Sequence, residues 1–311
     1  MSDLILHHYP QSPFAEKARL MLGFKGLSWH SVMIPPVMPK PDLTALTGGY
    51  RKTPVMQVGC DIYCDTALIA RRLEHEKAMP ALFPEGREAA ASGLSQFADQ
   101  VLFQHAVAIN FQPKGLAERF GSLPEAVAKA FVADRQALFA GGTATRLETD
   151  VALSQWPSLL GRLETQLNRD GDFLLGDTPS VADFAYYHPL WFVGSNKAVA
   201  DALDPYPAVQ AWMRRMADMG HGAHSEMSGQ EALRIARESD PEPLPDTPFA
   251  SPGGFSKGQT VSVSAVDYGT DPVTGSLVHE DAEEIIIERT DERAGTVRVH
   301  FPRFGFRVVA G

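Results

Sequence analysis

Cysteine is almost missing from this sequence: Cys60 and Cys64 are the two in 311 residues. Two are too few for a disulfide framework. They lie across a short apolar stretch with no nearby histidine, so they read as reduced, structural thiols. Long apolar runs are lacking as well. None approaches the roughly 20 residues that span a bilayer, so no membrane association is expected. The opening MSDLILHHYP has neither a basic start nor a long apolar stretch, which speaks against a secretory signal and makes cytoplasmic the expected location. An excess of basic residues is the third absence. The net charge is -10, and phosphate neutralisation needs a basic face, so nucleic acid is not an expected partner. What is present is ordinary for a globular chain, 44% hydrophobic and 21% charged residues, and long enough for two or three domains.

The periodicity changes twice along the chain. Leu4 to His8 reads as a strand and Phe14 to Lys25 as a helix, with Ser12 suited to its N-cap and Pro13 to its first turn. Ser28 to Met33 reads as a second strand. A Pro-rich stretch and a weak helix around Leu43 to Leu46 follow. Pro54 to Val58 and Asp61 to Cys64 read as a strand pair, and a helix opens at Asp65–Thr66. The order is βαβ, then αββα. Residues 87–239 carry helical patterns, at about 87–110, 124–139, 145–169, 180–193, 207–218 and 229–238. Ser180 and Asp183 have capping-box spacing ahead of the apolar run VADFAYYHPLWFV, which predicts a central helix. Residues 240–254 form a stiff, Pro-rich linker. After it the period drops to two, at Val261, Val263 and Ala265, at Ile285 to Ile287, at Val297 to Phe301 and at Phe304 to Val308. Turns are expected at Tyr268–Gly269, Asp271–Pro272, Thr274–Gly275 and Ala294–Gly295. Four or five short strands predict a small all-β barrel or sandwich at 255–311. This part is the most acidic, with 6 Lys/Arg against 12 Asp/Glu over residues 240–311. The acidic run Glu280 to Glu284 reads as a solvated turn.

Three features of the first 80 residues carry chemistry together. The turn Tyr9-Pro10-Gln11-Ser12-Pro13-Phe14 puts a hydroxyl at a helix N-terminus. Free N–H groups and the positive dipole end favour an anion there, a thiolate included, although a plain N-cap needs the same serine. Arg51-Lys52-Thr53-Pro54 precedes a strand. A cis Thr53–Pro54 bond would leave the Thr53 backbone free to pair with a peptide, and an ordinary trans proline would serve as well at a strand start. Asp65–Thr66 begins a helix. Thr66 can donate to a carboxylate and Asp65 can bind an ammonium, or both can simply cap.

In this order and on these elements, the three features resemble the glutathione-binding domain of the glutathione transferases. The likeness covers about residues 4–76 and continues loosely to 238, where Ser180–Asp183 after Leu175–Gly176 resembles the family's capping box. It implies a thioredoxin-like domain at 1–79, an all-helical substrate domain at 87–239 and an unusual β-rich extension. It also implies that Ser12 donates to the glutathione sulfur, with Tyr9 as the alternative hydroxyl, and that Phe14 walls the site. Thr53, before a cis Pro54, would pair with the cysteinyl backbone. Asp65 and Thr66 would hold the γ-glutamyl end, and Lys52 could meet a carboxylate. Asp65–Thr66 departs from the family's usual Glu or Gln followed by Ser. No cysteine stands at the Ser12 position, which disfavours disulfide exchange through a protein thiol.

The expected function is transfer of glutathione, as co-substrate, to a small apolar electrophile by a homodimer without a metal. The alternative is a non-catalytic binding protein of the same fold. Phe103, His105, Asn110 and Phe111 are candidates for the electrophile's side of the site from position alone. The GHGAH segment with His221 and His224 offers no third metal ligand and reads as a flexible loop. The role of the extension is open between capping the site, extending a subunit interface and binding a partner.

Overall fold

In the computed structural model, which describes residues 3–169 and 171–311, the chain opens with β1 (Leu4–His8), α1 (Pro13–Lys25) and β2 (Trp29–Met33). β1 and β2 are parallel, Ile5 facing His30. α1 starts where Ser12 caps it, its Oγ accepting the Ala15 N–H at 3.2 Å, and it stops at Gly26, whose φ of 58° lets its N–H return to Leu22 and Gly23. α2 (Pro41–Thr47) leads to β3 (Val55–Val58), β4 (Asp61–Cys64) and α3 (Thr66–Glu76). β3 lies antiparallel between β1 and β4. Every residue of β1, β3 and β4 is buried, so this sheet is covered on both faces.

The helical part covers one face. It comprises α4 (Glu88–Phe97), α5 (Phe103–Asn110), α6 (Pro113–Phe120), α7 (Glu125–Leu138), α8 (Thr149–Leu167), α9 (Val181–Gly194) and α10 (Pro207–Asp218). The helix expected over 87–110 is continuous but contains a π-helical turn at Ala98–Leu102. α6 is an addition to the expected set. α9 is central, as its apolar run predicts. Its capping box is formed, and the buried Asp183 carboxylate also accepts the Leu174 N–H at 2.8 Å and the Trp212 Nε1–H at 3.1 Å. Leu6, Leu20, Met56 and Ile69 of the first domain share one core with Trp156, Phe184 and Trp212 of the second.

The chain then returns to the first sheet. β5 (His224–Glu226) pairs in parallel with β2, and α11 (Gly229–Glu238) follows. The periodicity of 229–238 announces a helix, and its apolar stripe goes to this sheet, with Ala232 packed on Ile5 and Val32.

The C-terminal region is strand-rich, as expected: β6 (Thr260–Ala265), β7 (Val273–Glu280), β8 (Glu284–Asp291), β9 (Gly295–Pro302) and β10 (Phe306–Ala310). They form an antiparallel meander whose last strand returns beside the first. It is not a separate body. β9 pairs in parallel with β4, Val299 facing Ile62, so ten strands make one sheet in the order β10-β6-β7-β8-β9-β4-β3-β1-β2-β5. Ile285, Ile287, Val299 and Phe301 share a core with Leu43, Leu46, Val55 and Ile62. Two local expectations are corrected. Thr274–Gly275 lies inside β7 rather than at a turn, because the glycine allows a close strand approach: a Cβ there would sit 2.7 Å from the Glu288 carbonyl oxygen. The acidic run is only partly solvated. Glu280 is buried beside Arg303, and Asp281 accepts the N–H groups of Glu283 and Glu284 and the Thr247 hydroxyl. Among the described residues no helix is long and apolar enough to cross a membrane.

Candidate active site

A cavity of about 1230 Å³ opens between the first domain and the helices. Ser12, Phe14, Lys52, Thr53 and Tyr9 all line it, so five of the expected residues are brought together. Pro54, Asp65 and Thr66 lie outside its lining, as do His105 and Asn110, whereas Phe103 and Phe111 belong to it.

Ser12 is almost fully buried at the start of α1. Its Oγ accepts one N–H, from Ala15, and its own proton has no acceptor among the described residues. The serine is therefore an N-cap and still holds a free donor on the cavity wall. Phe14, two residues on, packs against Phe103 (centroids 4.7 Å apart) and His188 (4.4 Å).

The Thr53–Pro54 bond is cis, as the peptide-binding reading requires. Outside the helices and strands, neither the N–H nor the C=O of Thr53 pairs with another backbone group among the described residues. The Thr53 hydroxyl accepts from Lys40 Nζ at 3.0 Å. Lys40 was invisible as a site residue in the sequence. It precedes α2, is 4% exposed, lines the cavity and has no carboxylate within 4 Å among the described residues. Burial, and then the nearby Arg135 and Arg51, lower its pKa to about 8. Lys52 differs. Its ammonium is already held by Asp267 at 2.6 Å and lies 4.2 Å from the Tyr268 ring centroid.

Asp65 is the N-cap of α3, accepting the Ala67 N–H at 2.9 Å. It is the non-glycine residue with positive φ (φ 75°, ψ 140°) among those described. Such strain persists only where the surroundings enforce it, and it concentrates at binding sites. Thr66 accepts from the buried Lys17 Nζ at 3.2 Å. Lys17 also donates to Asp99 at 2.7 Å, and His188 Nε2 is 2.8 Å from the same carboxylate. Burial works against charge on Asp99, but Lys17 and His188 outweigh it and hold its carboxyl below the usual range. Asp99 stands in the π-helical turn, whose extra residue re-aims the side chains around it toward the first domain.

The extension walls the site. The segment between β6 and β7 lies on the loop between α7 and α8: Thr143 and Ala144 donate to the carbonyls of Val266 and Asp267, and the Gly269 N–H donates to Leu138 at 2.7 Å. A Cβ at Gly142 would overlap the Asp267 carbonyl, so this approach needs glycine. Tyr268 stacks on Phe139 at 4.7 Å and lines the cavity. Burial, then the carboxylates of Asp267, Asp65 and Asp99, hold its phenol well above the usual range. Of the three roles left open for the extension, a contribution to the site is the one visible within the chain.

The other side of the cavity is aromatic, with Phe103, Phe111, Phe120, Phe131 and Phe192. Among the lining residues six are Lys or Arg, namely Lys40, Arg51, Lys52, Arg119, Arg135 and Arg146, against Glu118 alone. Three of these cations are paired, Arg51 and Arg135 with Asp134 and Lys52 with Asp267, which leaves Lys40, Arg119 and Arg146 without an ion pair among the described residues. The GHGAH segment, expected as a flexible loop, is packed: His221 is 3.1 Å from Glu16, and His224 stacks on Trp29. Among the described residues no three side chains form a metal-holding group. Cys60 and Cys64 are free and buried, and burial pushes both thiols up, Cys60 to about 11.

Comparison with known proteins gives the family. The glutathione S-transferase N-terminal domain matches residues 6–81 and the C-terminal domain residues 124–215. A crystal structure described as a GST-like protein from Pseudomonas syringae is 50% identical, covers 100% of both chains and superposes with a TM-score of 0.85. The chain belongs to the glutathione S-transferase family. Glutathione S-transferase III in apo form (20% identity, 78% of this chain and 100% of that one, TM-score 0.52) shares the fold. So does a glutathione S-transferase from Rhodospirillum rubrum F11 (18%, 69% and 87%, TM-score 0.53). No protein of curated function matches the chain.

Proposed function

We propose that the protein is a glutathione transferase that activates the thiol of glutathione and directs it at a small electrophile with an apolar body. The observation that carries the reading is the Ser12 hydroxyl, fixed by the Ala15 N–H with its own proton unclaimed, at a helix N-terminus on the cavity wall. A free thiol has a pKa of about 8.5, and each unit of lowering corresponds to about 1.4 kcal/mol of preference for the thiolate. One charge-assisted hydrogen bond with the helix end is of the size to supply one or two units. The thiol proton leaves to solvent, the sulfur forms a bond to the electrophilic carbon, and a leaving group departs with its electron pair or the adduct takes up a proton.

In this reading the cysteinyl backbone pairs with the free N–H and C=O of Thr53. Asp65 and Thr66 take the charged γ-glutamyl end, with Lys17 behind Thr66. The glycyl carboxylate meets Lys40, since Lys52 is already neutralised by Asp267. Tyr9, on the same wall, is the alternative hydroxyl. A homodimer in the cytoplasm is the expected setting. Calorimetric titration with glutathione and with S-methylglutathione tests the site: binding of both in the micromolar-to-millimolar range supports it. No heat with either would leave a transferase-shaped protein that binds something else.

A further inference from the structure

An aromatic path leads away from the thiolate position. Phe14 contacts Phe103, Phe103 contacts Phe192 (centroids 6.3 Å apart), and the guanidinium of Arg119 lies 4.3 Å from the Phe192 centroid. Arg119 is in the last turn of α6 and lines the cavity. Its Nε and Nη2 are used: both reach Asn110 Oδ1 (3.3 and 3.0 Å), and Nη2 also donates to the Phe192 carbonyl at 3.1 Å and the Ser195 hydroxyl at 3.3 Å. Its Nη1 donates to no described residue. No carboxylate stands within 4 Å of it among the described residues, and its neighbour Glu118 is exposed and forms no ion pair. Burial pulls its pKa down from the usual guanidinium value. A cation partly stripped of water with no counter-charge is costly, and the neighbouring groups all serve to orient it rather than neutralise it. The two free N–H bonds of Nη1 are the donors left for an anion.

We propose that the second substrate of the transferase carries a carboxylate-type anionic group, received by Arg119, on an aromatic or aliphatic body that lies along Phe103 and Phe192. This rests on the transferase reading for the word substrate, but the binding site itself does not need glutathione.

The test uses the full chain without glutathione, and a matched pair of probes, phenylbutyrate and its methyl ester, measured by calorimetry. A hydrogen bond to a charged group in a partly desolvated site predicts that the wild type binds the acid about tenfold or more tightly than the ester. Arg119→Gln should abolish that preference and leave ester affinity unchanged. Arg119→Lys should keep part of it, and Lys40→Met should keep all of it. Equal binding of acid and ester by the wild type overturns the proposal. So does a preference that survives Arg119→Gln, or one lost in Lys40→Met. If Arg119→Gln loses both probes because α6 is disturbed, Arg119→Lys decides: an acid preference retained supports the proposal, and loss of both probes again overturns it. Absence of glutathione binding with the acid preference intact would sink the transferase reading and leave the anion site standing.

Discussion

Replacing Asp267 by Asn should tighten glutathione binding. Asp267 lies in the segment between β6 and β7, 215 residues from Lys52 in sequence, and its carboxylate is 2.6 Å from the ammonium. The lysine is 12% and the aspartate 32% exposed at the side chain, so the pair is partly screened. A contribution of about 1 kcal/mol is reasonable for such a pair. Asparagine has the same shape and can still accept the Tyr268 N–H that Asp267 Oδ1 accepts at 2.7 Å. The loop also stays anchored by the backbone hydrogen bonds to Leu138, Thr143 and Ala144. The substitution therefore removes one charge without removing the wall. Lys52 becomes a second free cation beside Lys40 for the glycyl carboxylate. The Kd for S-methylglutathione should fall about fivefold, corresponding to about 1 kcal/mol, and the gain should shrink at high salt. Calorimetry of the two proteins at two ionic strengths measures both. An unchanged or weaker affinity, with the fold intact by circular dichroism, would refute the assignment of Lys52 as a neutralised binding cation.

Lys40 should make glutathione binding pH-dependent. With its pKa near 8, it is a cation below that value, so S-methylglutathione affinity should decline as the pH rises through about 8, and Lys40→Met should weaken binding about tenfold and flatten the decline. A second titration lies where β9 pairs with β4. His300, on β9, is buried between Asp61 (2.9 Å) and Glu284 (3.2 Å) and stacks on Tyr63. Burial opposes its charge, but the hydrogen bonds to the two carboxylates prevail and its pKa is raised. A raised folded-state pKa gives stability that is fully present below the unfolded value of about 6.5 and is lost as the pH climbs through the folded value. His300→Gln should thus lower the Tm in mildly acidic buffer and cost less in alkaline buffer. A pH-independent loss of Tm would count against the charged imidazole.

Much of the first domain can be read from its sequence because its signals are local. Ser12–Pro13 before an apolar period and Asp65 ahead of α3 act within one helical turn. The C-terminal strands announce themselves by alternation, but their place does not. Pairing of Val299 with Ile62 depends on two edges distant in the chain, and alternation says nothing about which edge a strand will choose. β7 was obscured by Gly275, a residue that marks a turn as often as a close strand approach. α6 was obscured by Pro113 and Gly115, and Arg119 with it, since Pro at a first helical turn looks like a break when no long apolar period follows. Lys40, in a Pro-rich stretch, had no local mark, because what makes it a site residue is the wall of Thr53 and Tyr9 across from it. Lys52 was legible as a cation near the site and illegible as one already paired.

Ser12 should favour the thiolate of bound glutathione, and titrating the ultraviolet thiolate absorbance of glutathione bound to the wild type and to Ser12→Ala measures this. The bound thiol pKa should lie about one unit or more below the free value of about 8.5 and return most of the way to it in Ser12→Ala. A bound thiol that titrates like free glutathione would contradict it. So would an unaltered lowered pKa in Ser12→Ala that Tyr9→Phe abolishes, since that result would give the role to Tyr9.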